Sequence, residues 1–174
     1  SNFVQFTLCV GLLNFAVYLA APYLAVYLLE ELSFGYFTYA VIVLAASTTA
    51  FLTVTRWGRI GDRHGNWVVL RWAMLGVSFL PFLWPLSRTP LWFFLMFLAG
   101  GFLWSGINLS IVNFVYDVAT PAKRTRCLAY FNFINGLGVS LGALAGGYLL
   151  TLLPSLNGGV FVTLFLCSGF LRVL

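Results

Sequence analysis

The sequence predicts an all-α integral membrane protein, a single bundle of six transmembrane helices. Three observations carry this. Of 174 residues, 61% are hydrophobic and only 7% are charged, against the roughly 25% charge that a water-soluble domain needs to cover its surface. Apolar runs of spanning length, about 20 residues at 1.5 Å each, recur at 4–28, 36–56, 67–86, 91–116, 127–153 and 159–174. The connections between them are short, which forces consecutive helices to be antiparallel neighbours.

The elements follow in order. The first run begins almost at residue 3, with no basic leader or cleavage signal, and is too long for a signal-peptide core, so it reads as a spanning helix. Stretches such as Val41 to Leu52 and Trp92 to Trp104 lack the strict alternation of barrel strands, so the spans are helical. The intervening loops are Glu30 to Gly35, Gly58 to Asn66, Ser87 to Pro90, Thr120 to Arg126 and Pro154 to Gly158. The last run, with no polar tail, reads as a helix cut short. The two successive triplets of helices suggest an inverted repeat.

Charge sets the orientation. Arg56, Arg59, Arg63 and Arg71 surround the second loop and Lys123, Arg124 and Arg126 occupy the fourth, whereas the first carries Glu30 and Glu31. Loops two and four are therefore expected on the cytoplasmic side, and an even number of helices places both ends there too. The net charge of +5 then reports membrane orientation, not a nucleic-acid partner. Cys9, Cys127 and Cys167 are too widely spaced and too apolar in setting for a disulfide framework or a metal site. No metal or other cofactor is expected. His64 is the sole histidine, and no nucleophile or general-base cluster points to an enzyme.

The most informative segment is Trp57 to Asn66, containing Gly58-Arg59-Ile60-Gly61-Asp62-Arg63-His64-Gly65. Physically, Gly58 and Gly61 permit close backbone approach, Gly65 supplies a positive φ, Asp62 suits the positive end of a neighbouring helix, and Arg63 suits a carboxylate or an anionic headgroup. As Gly-x-x-x-Asp-Arg-x-Gly between two membrane helices on the basic side, it resembles the signature loop of the major facilitator superfamily, although Asn66-Trp67 stands where the family often has a basic pair. A second resemblance lies in the fifth helix, Gly138 to Gly147, which matches the family pattern Gly-x-x-x-Gly-Pro-x-x-Gly-Gly except for Ala143 in place of proline. Gly138, Gly142 and Gly146, with Gly147 beside them, form a smooth stripe at a spacing of four. Losing the proline implies a straighter helix.

The resemblance implies one half of a 12-helix facilitator. In the fourth helix, Met96 to Phe102 lacks the arginine of many amino-terminal halves, while Asn14 to Pro22 and Asp117 to Arg126 look like the seventh helix and the tenth-to-eleventh loop of bacterial members. That favours the carboxy-terminal half, in a bacterial inner membrane, with the bilayer, a small-molecule solute and the missing six-helix half as partners. The signature loop would then act as a clasp between halves, with Gly58, Gly61, Asp62, Arg63 and Gly65 as gating residues and Asp117 and Arg124 beside them. Asp117 reads as an ion-pair or gate residue more than a proton carrier.

The family places its solute near the midplane, lined by helices one and four of each half. Asn14 and Tyr18 share a face of helix one, with Pro22 a turn on. Helix four offers Gly101, Trp104, Ser105 and Asn108, and helix five offers Asn135, with Asn132 less deep. Asn14, Tyr18, Trp104, Asn108 and Asn135 are therefore the cavity candidates; the alternative for the asparagines is hydrogen bonding between helices, and for Trp104 the filling of a gap. No carboxylate, histidine or fixed charge is expected at midplane, which suggests a neutral, partly aromatic or apolar solute. The competing readings are a non-transporting membrane scaffold subunit and a half-transporter that pairs with itself.

Overall fold

A computed structural model describes residues 2–118, 122–152 and 159–173, and every regular element among them is a helix. In order these are α1 (Asn2–Tyr18), α2 (Ala21–Val26) running into a π-helical turn (Tyr27–Glu31), α3 (Tyr36–His64), α4 (Asn66–Leu83) closed by a 3₁₀ turn (Trp84–Leu86), α5 (Pro90–Val118), α6 (Arg124–Leu152) and α7 (Val160–Val173). The first apolar run is thus a broken span made of α1 and α2. Pro121 and the fifth loop, Pro154 to Gly158, lie outside the described residues. Five of the spans are long and apolar enough to cross a membrane, and α7 is a shorter apolar helix of 14 residues.

The helices are longer than the apolar runs. α3, α5 and α6 each have 29 residues, about 44 Å at 1.5 Å per residue, against roughly 30 Å of hydrocarbon. That length exceeds what the hydrocarbon requires, and the backbone stays helical past the apolar run into charged sequence. This changes the reading of the second loop: α3 does not stop at residue 56 but runs through Arg56, Arg59, Asp62 and Arg63 to His64. The turn is the single residue Gly65, with φ +88° and ψ 149°, backbone that only glycine adopts without strain.

Pro90 opens α5, where a first-turn position needs no backbone donor. The Trp92 indole N–H, one turn in, donates to the Leu83 carbonyl at 2.9 Å and closes the α4–α5 corner.

The described chain forms two compact units, one holding α1, α2, α6 and α7, the other α3, α4 and α5 as far as Phe114. In the first, α1 and α6 meet along the glycine stripe. A Cβ built on Gly138, Gly142 or Gly146 would strike the carbonyl oxygen of Gly11, Phe15 or Leu19 respectively. Both sets step by four in the same direction, so the helices run parallel with backbones in contact. Phe6 stacks on Phe131, ring centroids 6.2 Å apart, at the start of the seam.

The second unit repeats the device with different residues. A Cβ on Gly101 would strike the Ala46 carbonyl, and one on Gly106 would press 2.9 Å from the Trp57 ring. Without hydrophobic attraction between helices in lipid, such close backbone approach supplies the dispersion and weak Cα–H···O contacts that hold spans together.

Candidate functional site

The site residues of the first unit start from two asparagines in otherwise apolar spans. An amide facing hydrocarbon would leave its donors and acceptor unmatched, so each turns inward. Asn14 of α1 donates to Asn135 Oδ1 of α6 at 2.8 Å, and Asn135 in turn donates to the Phe131 carbonyl one turn back. The structure thus joins two of the candidates by a direct bond, with both side chains part-buried. Tyr18, a turn beyond Asn14, is exposed and outside this pair.

Immediately past Tyr18 the helix breaks. The Ala20 amide bonds back only three residues, to Val17 at 3.2 Å, and Pro22 has no N–H to offer the Tyr18 carbonyl. The ladder of α1 therefore ends with carbonyls in excess. One of them is taken by α7: Ser168 donates its hydroxyl to the Ala16 carbonyl at 2.6 Å, while Arg172 donates a guanidinium N–H at 3.4 Å to the Val17 carbonyl, which also accepts the Ala20 amide.

Beyond the break, the Tyr23 hydroxyl donates to the Ala143 carbonyl at 2.6 Å. The same oxygen lies 2.6 Å from where a Cβ on Gly147 would be. Gly146 and Gly147 therefore make the recess that the tyrosine occupies. Ala143 stands where the resembled pattern has proline, and its carbonyl is the acceptor.

In the second unit, α3 and α5 are clasped by hydroxyl and indole groups. Thr53 and Ser105 hydroxyls lie 3.0 Å apart and are buried. The Trp57 indole donates to the Phe102 carbonyl at 2.7 Å, and its ring lies 4.7 Å from that of Phe102. Trp104 is half-buried and Asn108 is exposed on α5. Ser105, from the same predicted face, is spent on the clasp.

Of the signature residues, Asp62 and Arg63 are exposed on the last turn of α3. A Cβ on Gly61 would sit 3.0 Å from Asn66 Oδ1, so close approach is used there, whereas at Gly58 the nearest atom would be Leu109 Cδ2 at an ordinary 3.9 Å. Asn66 Oδ1 also accepts from Asn113 at 3.1 Å, tying the head of α4 to α5. Asp117 is exposed near the end of α5, and the Arg124 guanidinium lies 4.4 Å over the Tyr116 ring, a cation–π contact.

Sequence reasoning missed Tyr23, Ser168 and Arg172. Arg172 reads in one dimension as a terminal charge, but its side chain reaches back along α7 to Val17, three residues past Asn14. The available signal was its spacing of four from Ser168, which puts both polar groups on one face of an apolar helix.

With this geometry in place, comparison with known proteins decides the lineage. The Major Facilitator Superfamily family model matches residues 6–174, nearly the whole chain. The chain belongs to the major facilitator superfamily. Among facilitator relatives, the efflux pump azaK of Aspergillus niger is 30% identical over 134 residues, covering 76% of this chain and 27% of that protein. The staphyloferrin B transporter of Staphylococcus aureus is 32% identical over 108 residues, 62% of this chain and 25% of its own length. The chain thus matches only about a quarter of either relative. Facilitator membership, with the five long apolar helices, makes this a multi-pass membrane protein of a transporter family and not an enzyme.

Proposed function

We propose that the chain is one six-helix half of a facilitator that moves a small solute across the membrane by alternating access, rocking against a second half around a central site. In this reading it is the carboxy-terminal half, with both ends of the segment cytoplasmic, in a bacterial inner membrane. The observation that carries the reading is the Asn14–Asn135 pair, two amides joined at 2.8 Å in spans that are otherwise apolar. The bond satisfies one donor and one acceptor between the helices, and the amides' remaining donors and acceptors suit a solute that presents hydroxyl or carbonyl groups. Asn135 is held by its bond to Phe131, so the pair is oriented before any solute arrives.

Tyr18, Trp104 and Asn108 serve the same role in this proposal, each from a surface that its own unit leaves partly open. Asp62, Arg63 and Gly65 act as the cytoplasmic clasp in this proposal, and Asp117 and Arg124 are assigned to the gate with them.

The test is accessibility. In the full-length native chain with Cys9, Cys127 and Cys167 replaced by serine, Asn14→Cys and Asn108→Cys are labelled in membrane vesicles with a membrane-impermeant maleimide from each side. Transport predicts labelling at both positions, protected by a transported solute. No labelling from either side at either position would remove the transporter reading in favour of a scaffold subunit. A symmetric cross-linked pair of 174-residue chains would instead support self-assembly of the half.

A further inference from the structure

The third helix has two faces of different construction. Toward α4 and α5 it turns Ala46, Thr53, Trp57, Gly58 and Gly61, each of which meets a residue of those helices. The opposite face runs in steps of three and four along one side of the helix. Phe37, Val41, Leu44 and Leu52 make its first part, all exposed. Arg56, Arg59 and Arg63 make its last, also exposed, and none of the three has an ion pair or hydrogen bond among the described residues. Asp62 is the one acidic group of this end, so Arg56, Arg59, Asp62 and Arg63 leave two positive charges in excess.

Two observations say what covers such a face. The first is texture. Where this chain brings helix against helix it uses glycine, at Gly138, Gly142 and Gly146 against α1 and at Gly101 and Gly106 against α3, because close approach in lipid needs small residues. The exposed face of α3 holds no glycine, alanine or serine at the positions named, so it is shaped for flexible chains and not for another backbone. The second is order. About 22 Å of apolar surface, from Phe37 to Leu52, is followed by guanidinium groups a turn apart. A phospholipid has the same order, acyl chains and then a charged headgroup. Side chains three or four apart start about 5–6 Å from each other, within reach of one phosphate, and the planar guanidinium fork matches phosphate oxygens.

We propose that the exposed face of α3 binds an anionic phospholipid, its phosphate between Arg56 and Arg59 and its acyl chains along Leu52, Leu44 and Phe37. Arg63 extends the basic end toward the turn at Gly65. The inference holds whichever solute moves and whichever half this is.

The test uses the full-length native protein in detergent, titrated with phosphatidylglycerol or with phosphatidylcholine of the same acyl chains, and counts bound lipid by native mass spectrometry. Phosphatidylglycerol should be retained in preference to phosphatidylcholine. Arg56→Gln and Arg59→Gln should each weaken its binding by about fivefold, whereas Arg71→Gln, which removes an exposed arginine of α4, should not. An equal loss from Arg71→Gln would mean diffuse attraction by surface charge and overturn the site. So would a wild type without preference for phosphatidylglycerol, the result expected if another helix of the full chain pairs these arginines. Should the variants fail to fold, phosphatidylglycerol with a photoreactive acyl chain decides on the wild-type protein. Cross-links concentrated in residues 36–56, and removed by unlabelled phosphatidylglycerol alone, support the site. Cross-links spread over the other apolar helices, or removed equally by phosphatidylcholine or by inorganic phosphate, overturn it.

Discussion

Two glycines of the same helix should respond in opposite ways to the same methyl group. Gly136 and Gly142 both lie inside α6, so alanine at either gains about 1 kcal/mol of intrinsic helix propensity over glycine. At Gly136 nothing lies within 4 Å of the new Cβ, whereas at Gly142 it would strike the Phe15 carbonyl oxygen, a backbone atom that cannot swing away. Relief requires α1 and α6 to separate, at about 1–3 kcal/mol for overpacking. Separation also stretches the Asn14–Asn135 bond, whose α1 partner adjoins Phe15, with an average of about 0.6 kcal/mol for such a bond between membrane helices. The net expectation is a difference of about 2–4 kcal/mol between the two variants, Gly136→Ala being neutral or slightly stabilising. Thermal unfolding of the full-length protein in one detergent, followed by thiol exposure, compares them directly. Equal midpoints for the two variants would mean that the stripe is not a backbone seam, and the account of the first unit would be wrong.

The same assay reads five further substitutions. A double-mutant cycle of Asn14→Ala and Asn135→Ala should give a coupling of about 0.6 kcal/mol, at most about 1.7, and a coupling of zero would show that the amides do not bond to each other. Gly65→Ala places a side chain at φ +88° and should cost about 1–3 kcal/mol, with an unchanged midpoint counting against the one-residue turn. Trp57→Phe keeps a ring beside Gly106 but removes the donor to Phe102 O, so it should lose about 0.5–1.5 kcal/mol, and Thr53→Val, which removes a buried hydroxyl partner of Ser105, should fall in the same range.

The fold class was legible because lipid imposes a coarse requirement, length of apolar helix, that composition and run length report directly. Helix ends were less legible, and α3 shows why. Its apolar run stops where Arg56 begins, but charge ends contact with hydrocarbon and does not break a helix; only Gly65, with its positive φ, does that. The glycine stripe could be read as a face from its spacing of four. That its partner is α1, by way of Gly11, Phe15 and Leu19, could not be read, since a single sequence shows a smooth surface without showing what lies on it. Asn14 and Asn135 were both legible as costly polar groups, yet 121 positions separate them. Arg172 was hidden for a different reason: a long side chain sets its own depth, so the position of its Cα in the run says little about where the charge resides.

The seam and the break together constrain how helix one can move. α6 touches α1 at Gly11 and Phe15 before the break, at Leu19 within it, and at Tyr23 after it. A helix interrupted by lost hydrogen bonds would ordinarily be the softest part of a bundle, because each freed carbonyl removes a restraint on bending. Here the restraint is transferred outward: α6 lies along both sides of the break as a splint, Ser168 of α7 holds the freed Ala16 carbonyl, and Arg172 reaches the Val17 carbonyl beside it. Any rearrangement of α1 then either carries α6 and α7 with it or breaks contacts on all three helices at once. The second unit shows the same logic in its own pair, where Gly101 and Gly106 bring α5 against α3 and the Thr53–Ser105 and Trp57–Phe102 contacts fix the register. Each first helix of a triplet is thus bound backbone to backbone to the second helix of the other triplet. A broken span held in this way is not a place where the helix comes loose.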